Sequence, residues 1–228
     1  MALYAIGDLH LSLTADKPME VFGPAWENYT ERIGDALSRL TAGDVLVLAG
    51  DTSWAMKLED CSADFAFLQN LPGRKLLLKG NHDYWWTTKK KMEDFFAAEG
   101  CTSIKILHNN HYRYGEYGIC GTRGWVNMPG ETQDEKVLRR EVQRLETSIR
   151  SALDEGLKPI VFLHYPPIFA TNFNYDILDV LYRYKIEECY YGHIHGKAHQ
   201  YAFEGVYEET KMHLISGDYI QFKPVKIV

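Results

Sequence analysis

The sequence is short of cysteine. The four it has, Cys61, Cys101, Cys120 and Cys189, stand far apart with no CxxC pair. That argues against a disulfide-stapled scaffold or a cysteine zinc ribbon and reads as buried thiols in a reducing compartment. Long apolar runs are missing too. Stretches such as Val45 to Ala49 fall far short of the ~18 residues a membrane span requires. The N-terminal stretch MALYAIGDLH lacks a basic region followed by an apolar one, so no signal peptide is read there and the cytoplasm is the default location. Positive charge is not in surplus: the formal net charge is −6. An acidic balance argues against a general nucleic-acid binder, which needs a basic face, while a bound metal would still supply local positive charge. Repeats, low-complexity tracts and linkers are also absent, and residues 1–228 read as one domain.

What the chain does have is an alternation of short apolar runs with amphipathic segments. Residues 3–7, 44–50 and 74–80 read as strands, and 26–40 and 62–71 as helices between them. This order predicts right-handed crossovers and a largely parallel α/β sheet. Residues 86–99 read as helical, and 103–125 as hairpin-like strands. The longest helical pattern runs over 132–156, with Val137, Leu138, Val142, Leu145, Ile149 and Leu153 on one stripe and Glu and Arg on a solvated face. A strand at 159–165, a helix at 175–185, a strand at 189–192 and antiparallel strands over 198–228 complete the reading.

The strand ends carry the chemistry. The first ends in Gly7-Asp8-Leu9-His10, the second in Gly50-Asp51 and the third in Gly80-Asn81-His82-Asp83. The strand at 159–165 delivers His164, and the one at 189–192 runs into Gly192-His193-Ile194-His195. Ligand sites of open α/β sheets lie beyond the carboxyl ends of strands. One carboxylate or histidine in such a place is ordinarily a cap or a packed structural residue. Five of the nine histidines at strand ends are a pattern of another kind. An extended backbone would point each i, i+2 pair, Asp8/His10 and His193/His195, to one side. The Asp, His and Asn donors suit divalent metals, and they are too many for one tetrahedral ion.

This ordered set resembles the motifs of the calcineurin-like metallophosphoesterase superfamily, in the form of its small bacterial members. The resemblance implies a four-layer αββα sandwich of two mixed β-sheets flanked by helices. It implies two divalent or trivalent ions (Mn, Fe, Zn or Ni), with Asp8, His10, Asp51 and His195 on the first. Asp51 would bridge to a second ion that also takes Asn81, His164 and His193. His82 would stay off the metals as the catalytic side chain beside the leaving group. The implied activity is hydrolysis of a small soluble phosphomonoester or phosphodiester by metal-activated hydroxide. A nuclease, a cyclic-nucleotide phosphodiesterase and a non-catalytic metal-binding scaffold are the competing readings.

Two departures narrow the substrate class. Gly50-Asp51 is followed by Thr52-Ser53-Trp54-Ala55 rather than the GDxxDRG of protein phosphatases, so the acidic partner of the catalytic histidine is missing. Asp83 stands as either its substitute or a helix N-cap. The third motif is GNHD, not the GNRD of lipid A pathway hydrolases. Outside the motifs, Arg123 in CGTRGWVNMPG (120–130) is either a substrate-binding residue gripping a phosphate bidentately or a surface arginine. Trp54, Tyr84, Trp85, Trp86 and Trp125 either line a pocket that stacks a ring or pack the core.

Overall fold

Apolar runs flanked by glycine or polar residues become short strands, and the amphipathic segments between them become helices. The computed structural model describes residues 1–125 and 134–228. In chain order the elements are β1 (Leu3–Ile6), α1 (Tyr29–Leu37), β2 (Val45–Leu48), α2 (Ser62–Asn70), β3 (Arg74–Leu77), α3 (Lys89–Ala98) and β4 (Ile104–Ile106). There follow β5 (Tyr112–Tyr114), β6 (Tyr117–Thr122), α4 (Glu135–Leu153), β7 (Lys158–Leu163), β8 (Ile168–Phe169), β9 (Asn172–Phe173), α5 (Tyr175–Arg183) and β10 (Glu188–Tyr191). The chain closes with β11 (Gly205–Tyr207), β12 (Thr210–Leu214) and β13 (Val225–Lys226).

Two mixed sheets form. One has the order β13-β1-β2-β3-β4 and the other β11-β12-β10-β7-β6-β5. The inner strands of each run parallel, and antiparallel β13, β5 and β11 close three of the edges. The alternation of side chains along a strand builds the layers. In β2, Leu46 and Leu48 pack with Ile33, Phe65 and Met92 of the three helices on the first sheet. Val45 and Val47 face the other way and meet Ile160, Phe162 and Tyr190 of the second sheet. That sheet's opposite face packs on Leu145 and Ile149 of α4 and Val180 and Leu181 of α5. Three cores between four layers make an αββα sandwich.

Three details differ from the sequence reading. Helix α1 starts at Tyr29, because Pro24–Trp26 forms a separate 3-10 turn and Asn28 is left-handed at φ 50°. The first residues of the 132–156 pattern, Thr132 and Gln133, lie outside the described residues. The buried stripe of α4 contains Glu141 and Ser148, whereas Leu153 is 40% exposed. Glu141 is tolerated inside because Thr122 Oγ1 and Arg144 Nη1 donate to its carboxylate, both at 2.5 Å. In the tail, β12 is not part of a purely antiparallel set: it pairs in parallel with β10. Among the described residues no helix is long and apolar enough to cross a membrane.

Candidate metal centre

The site lies where the carboxyl ends of both sheets meet. Asp8 and His10 follow β1, Asp51 follows β2, and Asn81 and His82 follow β3, all in the first sheet. His164 follows β7, and His193 and His195 follow β10, in the second. Neither i, i+2 pair converges by an extended backbone. Asp8, His10, Asp51 and His193 adopt φ of 59°, 47°, 51° and 74°, the left-handed region that non-glycine residues avoid at a cost of about 1–3 kcal/mol each. Hydrogen bonds hold these turns. Asp8 N–H donates to Gly50 O at 2.9 Å and His10 N–H to Asp51 O at 2.8 Å. The Asp8 carboxylate accepts His193 N–H at 2.9 Å, tying the two sheets together. Strain gathered at side chains of one chemistry is a mark of a functional site.

Space is equally constrained. A Cβ on Gly80 would stand 2.0 Å from Asp51 Oδ1, and one on Gly192 2.4 Å from Asp8 Oδ2. Glycine before the ligand is therefore the room that the neighbouring carboxylate occupies.

Two groups of potential ligands result, Asp8, His10 and His195, and Asp51, His164 and His193. In each, one donor atom per residue lies within 4.8 Å of the others. Asn81 Oδ1 joins the second, 2.6 Å from His164 Nε2 and 2.9 Å from His193 Nδ1. Asp51 lies between the groups. Its Oδ2 is 3.7 Å from His10 Nε2 and 3.5 Å from His164 Nε2, while Oδ1 accepts His82 N–H at 2.8 Å. Asp51 Oδ2 and His10 Nδ1 are buried without a hydrogen-bond partner among the described residues.

This donor set fits divalent cations. His164 Nδ1 donates to Ala49 O at 3.1 Å, so Nε2 presents a lone pair to Asn81 Oδ1, which is also an acceptor. Burial pushes His164 down to about 4, so no proton fills that gap at neutral pH. A metal ion would. His195 Nδ1 faces Asp218 Oδ1 at 2.9 Å, the carboxylate–histidine arrangement that frees Nε2 as a ligand. Burial disfavours a charge on His195, yet Asp8 and Asp218 together raise it to about 10. A cation is thus demanded between those carboxylates whatever supplies it. Burial works against ionisation of Asp8 as well, but His195, His164 and His10 outweigh it and hold its carboxyl well below the usual range. Burial and the neighbouring Asp83 and Asp8 carboxylates push Asp51 well up, a repulsion that bound metal charge would relieve.

His82 stands apart from both groups. Its Nδ1 lies 3.2 Å from Tyr84 Oη, and its ring centroid is 4.4 Å from that of Trp54. Asp83 is neither its acidic partner nor a helix cap. The Asp83 carboxylate accepts the backbone N–H groups of Gly80, Asp51, Thr52 and Ser53 and the Trp85 indole N–H. It braces the turns that hold Asp51 and Asn81. Arg123 places its guanidinium 5.0 Å from the Trp125 ring, with Nη2 3.5 Å from Glu141. Val126 to Gly130 of that motif lie outside the described residues. Trp85 is buried in the core against Phe65, whereas Trp54 and Tyr84 line a cavity with His82.

Asp218 is the residue the sequence reading passed over. Ser216-Gly217-Asp218 follows β12 with the same glycine-then-aspartate signature as the first two strands, and that repetition was the available signal.

Comparison with known proteins agrees with this geometry. The chain is similar in fold to the phosphopantetheinyl hydrolase PptH from Mycobacterium tuberculosis, at 12% identity and a TM-score of 0.62, covering 100% of this chain and 95% of that one. It is similar also to TT1561 of Thermus thermophilus, at 15% identity and a TM-score of 0.51, covering 86% and 82%. No curated protein sequence matches it. The model of the calcineurin-like phosphoesterase family matches residues 1–197, so the chain belongs to that family and is a metal-dependent hydrolase of phosphoric esters.

Proposed function

We propose that the protein hydrolyses a small phosphomonoester or phosphodiester at a dinuclear centre. Asp8, His10, Asp51 and His195 would hold one ion, and Asp51, Asn81, His164 and His193 the other. Bound there, two ions supply Lewis-acid charge for the phosphoryl oxygens and lower the pKa of water toward ~7. Mn, Fe, Zn and Ni all accept this N/O donor set. The observation that carries the reading is Asp51 Oδ2: buried, without a hydrogen-bond partner among the described residues, and within reach of both groups.

The chain's own residues do the rest. Asp83 and the left-handed turns hold Asp51 in place. Ala49 O and Asp218 orient His164 and His195 through their Nδ1 atoms. Burial and the charge of His195 lower the pKa of His82, which favours its neutral ring at pH 7. If Tyr84 O–H donates to Nδ1, the ring proton sits on Nε2, from which it would hydrogen-bond to the leaving oxygen and support the charge that develops there. Arg123 is retained as a substrate-binding candidate at the rim, by its place at the end of β6 beside His164, whose N–H donates to its carbonyl.

The test is hydrolysis of p-nitrophenyl phosphate and bis-p-nitrophenyl phosphate by Mn-loaded protein, against a chelated aliquot. Chelator-sensitive turnover supports the reading, and the preferred ester separates phosphatase from phosphodiesterase. Metal-loaded protein inert toward both esters and toward a panel of natural phosphoesters would overturn it.

A further inference from the structure

Beside the ligand groups lies a cavity of about 540 Å3, an ordinary size for a small-molecule site. Three imidazoles of the site, His10, His82 and His195, line part of it. None of Asp51, His164 and His193 lines it, so the cavity belongs to the His82 side of the centre. Apart from Met19 and Gly196, the remaining lining is aromatic and cationic. Trp26, Trp54, Phe22 and Tyr84 contribute rings, and Phe22 and Tyr84 are 57% and 51% exposed. Those faces stand in water until something planar or apolar covers them.

Lys17 and Lys197 contribute the charge, and no Asp or Glu shares the lining. Lys17 Nζ lies 4.6 Å from the Trp54 ring centroid and 6.0 Å from that of Phe22, which holds the ammonium against the aromatic surface. The lysine ion pairs among the described residues belong to Lys89, Lys90 and Lys158, so both cavity lysines lack a carboxylate partner. Two unpaired cations in a carboxylate-free cavity, on a chain of net charge −6, form a local site for an anion.

We infer that this cavity receives the leaving group, and that the leaving group is an alcohol with a planar ring and an anion of its own, of the nucleoside monophosphate kind. The inference rests on the reading that sets His82 beside the leaving oxygen. Water's oxygen then forms the new P–O bond, the scissile P–O bond breaks, and one proton of that water ends on the leaving oxygen. The ring covers Phe22, Tyr84 and Trp54, and the second anion meets Lys17 and Lys197. A plain sugar or polyol phosphate would leave the rings bare; an uncharged nucleoside ester would leave the lysines unanswered.

The experiment is binding of the product alcohol to chelated protein, so that no metal holds the anion. Adenosine monophosphate, adenosine and ribose phosphate are titrated by calorimetry, with quenching of intrinsic tryptophan fluorescence, lost in a Trp54→Phe variant, as a second readout. Adenosine monophosphate should bind at least about tenfold more tightly than either fragment, a readily resolved difference. Lys17→Gln and Lys197→Gln, both at exposed positions, should each weaken adenosine monophosphate about three- to tenfold and leave adenosine unchanged. Equal affinities for adenosine monophosphate and either fragment, no saturable binding, or indifference to both lysine changes overturns the inference. If nitrophenyl esters are still turned over in a chelator-sensitive way, the proposed function survives that failure. Tight adenosine monophosphate binding with no chelator-sensitive hydrolysis of any ester overturns the leaving-group role and the proposed function together.

Discussion

His82 is the imidazole of the site that the proposed ligand assignment leaves off the metals. His82→Ala should therefore retain both ions by elemental analysis and lose about 10²- to 10⁴-fold in kcat, the usual range when a side chain that assists the leaving oxygen is removed. Loss of an ion from that variant would make His82 a ligand instead. Asp218 acts one step further out, through His195 Nδ1. Asp218→Asn should weaken metal affinity about 10- to 100-fold, measured by competition with a chelator, with His82 untouched. At this scale the sequence was informative about which residues gather. Metal-type donors follow glycine at strand ends, and the structure brings Asp8, His10, Asp51, Asn81, His164, His193 and His195 together. It was silent on how they gather. Left-handed turns at Asp8 and His10 and the inward aim of the Asp83 carboxylate depend on hydrogen bonds to residues about 30 to 40 positions away, which local pattern does not encode.

The turn after β10 is one of the elements that tightly limit the site. Gly192→Ala would drive a methyl group into Asp8 Oδ2, and that carboxylate is already held in place by His193 N–H. The variant should fold with the first metal position impaired, visible as a drop in bound metal per chain. Full occupancy and activity would show that Asp8 moves freely. Helix α4 offers a second test. Glu141→Ala strands Thr122 Oγ1 and leaves Arg123 and Arg144 without their shared carboxylate. Breaking such a buried network costs about 3 kcal/mol, which for a chain of this size lowers Tm by about 6–12 °C in a thermal melt. A shift under 2 °C would mean the network is dispensable. Most elements were legible from period and punctuation, as with β2 and α2. The tail was not. The segment of β12 alternates like an antiparallel strand, and only its long-range partner β10 decides that it runs parallel.

Across the whole molecule, the site's histidines tie stability to pH when metal is removed. In chelated protein, burial pushes His164 down to about 4 and His193 to about 3 from the ordinary 6.5. As pH falls below 6.5 the unfolded chain takes up protons that these folded residues refuse, so stability drops toward pH 4. His195 works in the other direction. Despite burial, Asp8 and Asp218 raise it to about 10, so its contribution is complete below 6.5 and is lost as pH climbs toward 10. The Tm of chelated protein should peak near pH 6.5 and decline on both sides. Metal should flatten the alkaline limb, because an ion takes the place of the His195 proton. A chelated protein that grows steadily more stable from pH 6.5 to 9 would contradict this account of the centre.

The division of the proposed ligands between two sheets also has a consequence for the order in which they are synthesised. Asp8, His10, Asp51 and Asn81 are synthesised first, and the sheet that presents them has four of its five strands by Ile106. His164, His193 and His195 come later, on strands that need β12 beside β10 to complete their sheet. A nascent chain therefore has no complete metal position to fill until most of it has emerged. Under the proposed assignment, metal capture would be a late step of folding.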